Sequence, residues 1–240
     1  MLIPYLGEKT KLAHFITPNI PKDISIFVEP FSGMFGVFFS LDFSKYKDVK
    51  FIYNDKNILN YILFNKLKDE KFIELVKSTS VDKDRYKSAI TNIITEKDEF
   101  QLALNWLIVL TCSSPYEIGK DSWRGSNEFE VFKLKYKAYK YHLDKIDSIH
   151  NLDYTKIIDI YDSESTFFYV DPPYMGKEKY YINHDFCETS HKELAKKLNN
   201  IKGKFLLSYY NFDGLEDLYQ NCRFDKKMTI MGTEYIIMNY

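Results

Sequence analysis

Three short apolar runs in this chain stop at an acidic residue. Residues 24–28 run into Glu29, residues 50–53 into Asn54-Asp55, and residues 166–170 into Asp171. Short runs of consecutive apolar residues suit strands buried on both faces, the kind found in parallel sheets. Glu29 opens the segment Glu29-Pro30-Phe31-Ser32-Gly33-Met34-Phe35-Gly36, read as a tight turn, and the apolar residues 37–41 that follow are read as the start of a helix. After Asp55, residues 56–68 carry Ile58, Leu59, Ile62 and Leu63 at helical spacing. The first 70 or so residues therefore predict a βαβα unit, and with it an α/β fold built on a parallel sheet.

The pattern then changes. Residues 70–150 read as Lys-rich and Tyr-rich helices around a polar loop at 113–128, which holds Pro115, Gly119 and Gly125. The α/β pattern resumes with strands at 166–170 and 205–209, and a helix at 189–198 for which Thr189 or Ser190 is the expected N-cap. A terminal hairpin is expected from 227–231 and 235–239 around Gly232. The organisation expected is one α/β domain formed by residues 1–69 and 151–240, interrupted by a mainly helical insertion at 70–150. A formal net charge of −1 supplies no global field toward nucleic acid, so any such surface must come from local segregation of charge. Cys112, Cys187 and Cys222 are widely spaced and form no metal-ligand pattern, so no metal is expected and the thiols are read as reduced. With no apolar run of membrane-spanning length and no signal-peptide pattern, the expectation is a cytoplasmic protein with no membrane partner.

The sharpest local feature is Phe168-Tyr169-Val170-Asp171-Pro172-Pro173-Tyr174. Consecutive prolines fix φ and remove two backbone donors, leaving rigid carbonyls. A carboxylate, a carbonyl acceptor and an aromatic face are what an exocyclic amine needs. The acid and a proline carbonyl accept its hydrogens and bias its lone pair toward an incoming electrophile, while the ring of Tyr174 stacks on the base.

Taken with Glu29-Pro30-Phe31-Ser32-Gly33 and Asn54-Asp55, this segment resembles the Dam-like, alpha-group adenine-specific DNA methyltransferases, whose motifs follow the same order. Pro4-Tyr5-Leu6-Gly7-Glu8-Lys9 is similar to the opening segment of that family. The resemblance implies a Rossmann-like methyltransferase domain with a target-recognition insertion at 70–150. It implies methyl transfer from S-adenosyl-L-methionine to the exocyclic amino group of adenine in double-stranded DNA, after base flipping. Asp171, Pro172, Pro173 and Tyr174 are then the catalytic set. The cofactor set is Tyr5, Gly7, Lys9, Glu29, Pro30, Phe31, Ser32, Gly33, Gly36, Asp55 and Asp171. In this reading the glycines let the backbone approach the methionine portion, a helix N-terminus supplies amides for its carboxylate, Glu29 lies near its amino group, and Asp55 accepts the ribose hydroxyls. One departure stands out: Phe35 occupies a position where many relatives have a second glycine.

The expected DNA-binding set is Ser114, Tyr116, Lys120, Trp123, Arg124 and Asn127, with Tyr116 or Trp123 as wedge and Arg124 for a guanine or a phosphate. Lys133, Lys135, Lys137 and Lys140 are candidates for backbone phosphates. Phe186, His191 and Ser208-Tyr209-Tyr210-Asn211 resemble segments beside the active site, and Tyr180 and Tyr181 are read as part of a loop over the base. A cognate restriction endonuclease is the further partner considered, with the protein itself a monomer or weak dimer. Read alone, the residues leave plainer roles open: Glu29 as a cap, Asp55 as a strand terminator, Tyr5 or Trp123 as core aromatics, and Lys9 and the lysine run as solvated charges. Methylation of the cytosine amino group, an inactive DNA-binding module and a dinucleotide-dependent oxidoreductase are the competing functions. The absence of GxGxxG weighs against the last.

Overall fold

The computed structural model describes residues 3, 9, 12–114, 119, 121–176, 186–229 and 232–240. Its strands are β1 (Ile26–Glu29), β2 (Lys50–Asn54), β3 (Ile146–His150), β4 (Thr166–Val170), β5 (Lys204–Tyr210), β6 (Arg223–Thr229) and β7 (Gly232–Met238). Among the described residues they form one seven-stranded sheet in the order β3-β2-β1-β4-β5-β7-β6. The pairs from β3 to β5 are parallel, whereas β7 runs antiparallel to β5 and to β6.

Strand periodicity divides the side chains between two cores. Phe27, Phe51, Tyr53, Phe167, Tyr169, Leu206, Ile236 and Met238 enter one core; Val28, Ile52, Phe168, Val170, Phe205, Leu207, Tyr209 and Ile237 enter the other. The first core is covered by α1 (Ala13–Ile16), α2 (Ile58–Lys66), α3 (Glu70–Ser78), α4 (Lys83–Thr95), α5 (Glu99–Cys112) and α6 (Asn127–Leu143). The second is covered by α7 (Tyr154–Tyr161), α8 (Glu188–Leu198) and the short α9 (Leu215–Leu218). This explains the continuous apolar runs: a strand with helices on both faces has no solvent side for polar residues. Phe27 packs against Phe51 and Phe167 at centroid separations of 5.7 and 5.6 Å, joining the three central strands across one face.

Short acidic and amide side chains start the helices. Asn57, Asp69, Asp82, Asp98 and Asp153 accept backbone N–H bonds at the starts of α2, α3, α4, α5 and α7, each contributing about 1 kcal/mol.

Three expectations change here. Residues after Gly36 form turns and a 3-10 segment, Phe38–Ser40, instead of an α-helix; the backbone bends because Phe35 adopts φ 57 and stacks on Phe38 at 4.2 Å. The N-cap of α8 is Cys187, not Thr189 or Ser190; Ser190 instead accepts the Cys187 N–H at 3.2 Å from inside the first turn. Within the segment expected to be mainly helical, residues 146–150 form β3, an edge strand of the central sheet. The helices α3 to α6 likewise share one core with the sheet. No helix among the described residues is long and apolar enough to cross a membrane.

Candidate active site

The ends of β1 and β2 are tied together by side chains that the sequence places just past each strand. Ser32 Oγ donates to the Glu29 carbonyl at 2.8 Å and accepts the Asn54 N–H at 3.0 Å, while Ser32 N–H donates to the Asn54 carbonyl at 2.9 Å. Asn54 Nδ2 donates to the carbonyls of Pro30 and Leu152, at 2.8 and 3.0 Å. Asp55 accepts the Gly33 N–H at 2.7 Å and Asn60 Nδ2 at 3.2 Å on one oxygen, and the Asn57 N–H at 2.7 Å on the other. Gly33, at φ 50, makes that turn without strain. The ring of Phe31, within the turn, stacks on Tyr154 at 5.2 Å and lies edge-on to Phe186 at 5.6 Å.

Glu29 is buried, and its Oε1 accepts the Phe38 N–H at 3.2 Å. Burial, reinforced by the nearby Asp171 charge, pushes its carboxyl well above the usual range, against a smaller opposing pull from the Phe38 amide.

Strand parity brings a second group of polar residues to the same face. Asp171 follows Tyr169 by two positions, Ser208 follows Leu206 by two and Glu234 precedes Ile236 by two, so these three share the side of the first core. Lys9 Nζ lies 3.0 Å from Asp171 Oδ1 and 3.6 Å from Glu234 Oε1. The Tyr174 hydroxyl is 2.6 Å from Glu234 Oε1 and 3.1 Å from Asp171 Oδ1, and Ser208 Oγ donates to Glu234 Oε1 at 2.8 Å. Pro172 and Pro173 are buried behind Asp171, which keeps 18% of its side chain exposed. Desolvation raises the Asp171 pKa to about 6; Lys9 opposes this and the Glu234 charge adds to it. Burial alone lowers the Lys9 pKa, but Asp171 and Glu234 outweigh it and leave Lys9 firmly protonated. The ring of Tyr174 is 6% exposed, with Lys9 Nζ 4.7 Å from its centroid and Tyr210 packed at 4.6 Å.

The arrangement is an acid held at the carboxyl edge of a mostly parallel sheet, where such sheets bind ligands, beside a second buried acid at the neighbouring strand end. A match to the family model described as D12 class N6 adenine-specific DNA methyltransferase covers residues 5–233. The chain belongs to that family. It is an adenine-specific DNA methyltransferase, and the family separates it from the cytosine and oxidoreductase alternatives. It is also similar to a Type II methyltransferase, M.MjaIII of Methanocaldococcus jannaschii, with 26% identity over 291 aligned residues that span 99% of this chain and 98% of the relative. An rRNA methyltransferase, aviRa from Streptomyces viridochromogenes, superposes with a TM-score of 0.42 at 9% identity, over 98% of this chain and 85% of that one. That overlap is too low to add to the topology above. Family and chemistry together imply S-adenosyl-L-methionine as the methyl donor.

The methyltransferase brings Lys9, Glu29, Asp171 and Tyr174 together and places Pro30, Phe31, Ser32, Gly33 and Asp55 in the adjoining turn. Gly36 lies in the bend before the 3-10 segment, so the expected helix N-terminus is not the source of amides there. Tyr5 and Gly7 lie outside the described residues, as do Tyr116, Lys120, Tyr180 and Tyr181. Asp55 is committed to the Gly33 turn, so a contact with both ribose hydroxyls requires it to release an amide.

In the loop after α5, Ser113 and Trp123 pair as an isolated antiparallel bridge, and the Ser114 N–H donates to the Ser122 carbonyl at 2.8 Å. The Trp123 ring packs on Tyr86 at 5.3 Å and against the first core, which is the plainer of its two roles. Arg124 and Asn127 are exposed. The lysine run does not form one free face: Lys133 donates to the Thr79 carbonyl at 2.6 Å and pairs with Glu130, and Lys140 pairs with Asp144 at 2.5 Å.

Sequence reasoning missed Glu234. The hairpin pattern hides it, although an acid on the apolar parity of Glu234-Tyr235-Ile236-Ile237-Met238 is itself a signal.

Proposed function

We propose that Asp171 and the Pro172 carbonyl accept the two hydrogens of the target adenine amine, at a site where Glu29 and the turn at 30–36 hold S-adenosyl-L-methionine. The observation that carries this reading is the pinning of Asp171 by Lys9 and Tyr174 at the sheet's carboxyl edge, next to buried Glu29. The donor set suits the cofactor: Asp171 and Glu234 outnumber the lysine they share, and the buried Glu29 carboxyl adjoins Asp171, so the site favours a ligand bearing an ammonium and a sulfonium. When bound, S-adenosyl-L-methionine supplies an electrophilic methyl group.

The protein's own part is positioning and charge stabilisation. Asp171 and the Pro172 carbonyl turn the amine lone pair away from the ring and toward the methyl. Positive charge developing on the amine nitrogen would be met by the Asp171 carboxylate, which would take up the surplus N–H proton. An acid of pKa about 6 is ionised before that step at neutral pH and basic enough to take the proton. Lys9 and Tyr174 hold the carboxylate in place. Stacking of the base on Tyr174 requires displacement of what now covers the ring, because it is 6% exposed.

Residues 1–69 and 151–240 carry the chemistry in this reading, and the helices within 70–150 read double-stranded DNA, with β3 returning the chain to the sheet. A paired amine is reached only by flipping the base out, and the loop at 113–125 beside α5 is the element assigned to fill the gap. Arg124, Asn127 and Ser114 are the described residues assigned to DNA, with Tyr116 and Lys120 from the same loop. The naming of the Methanocaldococcus jannaschii relative as a Type II methyltransferase favours a restriction–modification setting with a cognate endonuclease.

The test is thermal shift with S-adenosyl-L-methionine and with NAD, combined with methyl transfer by Asp171→Ala. Stabilisation by the former only, and a variant that keeps it while losing transfer, is the expected result. Stabilisation by NAD alone, or transfer by the variant, contradicts the assignment.

A further inference from the structure

Glu234 is 1% exposed, and its Oε2 has no hydrogen-bond partner among the described residues. A buried carboxylate with one unsatisfied oxygen is costly, and as pure packing an amide or an apolar residue would serve better. What Glu234 does instead is divide two donors with Asp171. The Tyr174 hydroxyl sits closer to Glu234 Oε1 (2.6 Å) than to Asp171 Oδ1 (3.1 Å), and the Lys9 ammonium lies 3.6 Å from the former and 3.0 Å from the latter. Ser208 Oγ, at 2.8 Å, anchors Oε1 from β5.

We propose that Glu234 is a positioning residue for methyl transfer: its charge draws Tyr174 and Lys9 partly away from Asp171, leaving that carboxylate free to accept from the target amine. The inference rests on the reading of Asp171 given above. Without the charge at 234, the hydroxyl and the ammonium shift toward Asp171, occupy more of its lone pairs and weaken it as an acceptor. The groups facing Asp171 are Lys9 from the N-terminal segment, Glu29 from β1, Tyr169 from β4, Tyr174 from its own loop and Glu234 from β7; Tyr210 from β5 acts through Lys9. Burial favours the neutral forms of Glu29, Tyr169 and Tyr174, so Lys9 and Glu234 are the two opposed charges that set Asp171.

The experiment is the pH profile of single-turnover methyl transfer for wild type, Glu234→Gln and Glu234→Asp, with saturating S-adenosyl-L-methionine and DNA. Glu234→Gln keeps shape and acceptor but loses charge: the rate at pH 8 should fall about tenfold or more, with Kd for both substrates, read by separate binding titrations, nearly unchanged. Its acid limb should move down by about one pH unit, because the repulsion that raises Asp171 is gone. Glu234→Asp restores the charge and should return the limb to the wild-type position. A wild-type rate in Glu234→Gln, a slower rate with an unmoved limb, or a Glu234→Asp limb matching that of Gln overturns the proposal. Should Glu234→Gln fail to fold, Ser208→Ala takes its place. Freed of one donor, Glu234 then draws Lys9 and Tyr174 harder and the limb should move up; an unmoved limb overturns the proposal. Asp171→Asn separates the two readings. Activity in that variant sinks the assignment of Asp171, whereas an inactive Asp171→Asn beside a wild-type profile in Glu234→Gln sinks only the role of Glu234.

Discussion

Asp171→Asn should make the protein more stable while abolishing methyl transfer. The Asp171 carboxyl is raised from its ordinary 3.8 to about 6, chiefly by desolvation. Ionising it in the folded state therefore costs about 3 kcal/mol more than in the unfolded chain. The sign follows from linkage: a group raised on folding favours the native state below its unfolded pKa, and this advantage is lost as pH rises through the folded value. Wild type thus gives up about 3 kcal/mol between pH 4 and pH 7 through this one group, and the near-isosteric amide does not. Lys9 loses a partner in the variant but keeps Glu234 at 3.6 Å, so the net gain at pH 8 is set at about 2 kcal/mol. For a chain of 240 residues this corresponds to a rise in Tm of about 4–8 °C. Urea denaturation of both proteins at pH 5 and pH 8 checks it. The difference should be present at pH 8 and shrink on acidification. A variant no more stable than wild type at pH 8, or a difference indifferent to pH, refutes the view that this acid is held in a strained ionisation state for catalysis.

Phe35 stacks on Phe38 at 4.2 Å and meets Tyr53 and Phe64, so Phe35→Ala should cost about 3–5 kcal/mol in denaturant melts. Because φ is 57 there, Phe35→Gly should be the milder of the two by about 1 kcal/mol, which reverses the usual order of alanine and glycine. Tyr86→Phe removes hydrogen bonds to Ser113 Oγ at 2.7 Å and to the Gly119 carbonyl at 2.8 Å; it should weaken DNA binding severalfold in a titration while sparing turnover at saturation. Asn60 bridges Asp55 at 3.2 Å and the Trp106 indole N–H at 2.9 Å. Asn60→Ala should lose about 1–3 kcal/mol of stability by stranding that N–H, and calorimetry should show weaker binding of S-adenosyl-L-methionine.

The parts of the site that lie next to an apolar run were readable in the sequence. Glu29 ends a doubly covered strand, Asp55 and Asp171 each follow one, and a strand end is a local property. Glu234 stands 60 positions from Tyr174 and reaches it only because β7 pairs with β5, a tertiary fact with no local mark beyond an acid at an inward position. β3 escaped for a related reason: Ile-Asp-Ser-Ile-His is an edge strand with one buried residue, directly after the Lys-rich α6. The expected helix after Gly36 failed because Phe35, Phe38 and Phe39 pack on one another and on Phe64, and this packing overrides the glycine-turn-helix pattern. The loop sequence suits Trp123 both as wedge and as core; its contact with Tyr86 depends on α4, which the loop sequence does not reveal.

The most direct test of the account is transfer of labelled methyl from S-adenosyl-L-methionine to unmethylated duplex DNA by wild type and Asp171→Asn, followed by nucleoside analysis. The account expects N6-methyladenine as the labelled nucleoside with wild type and none with the variant. Label in cytosine, no label with either protein, or equal label with both contradicts it.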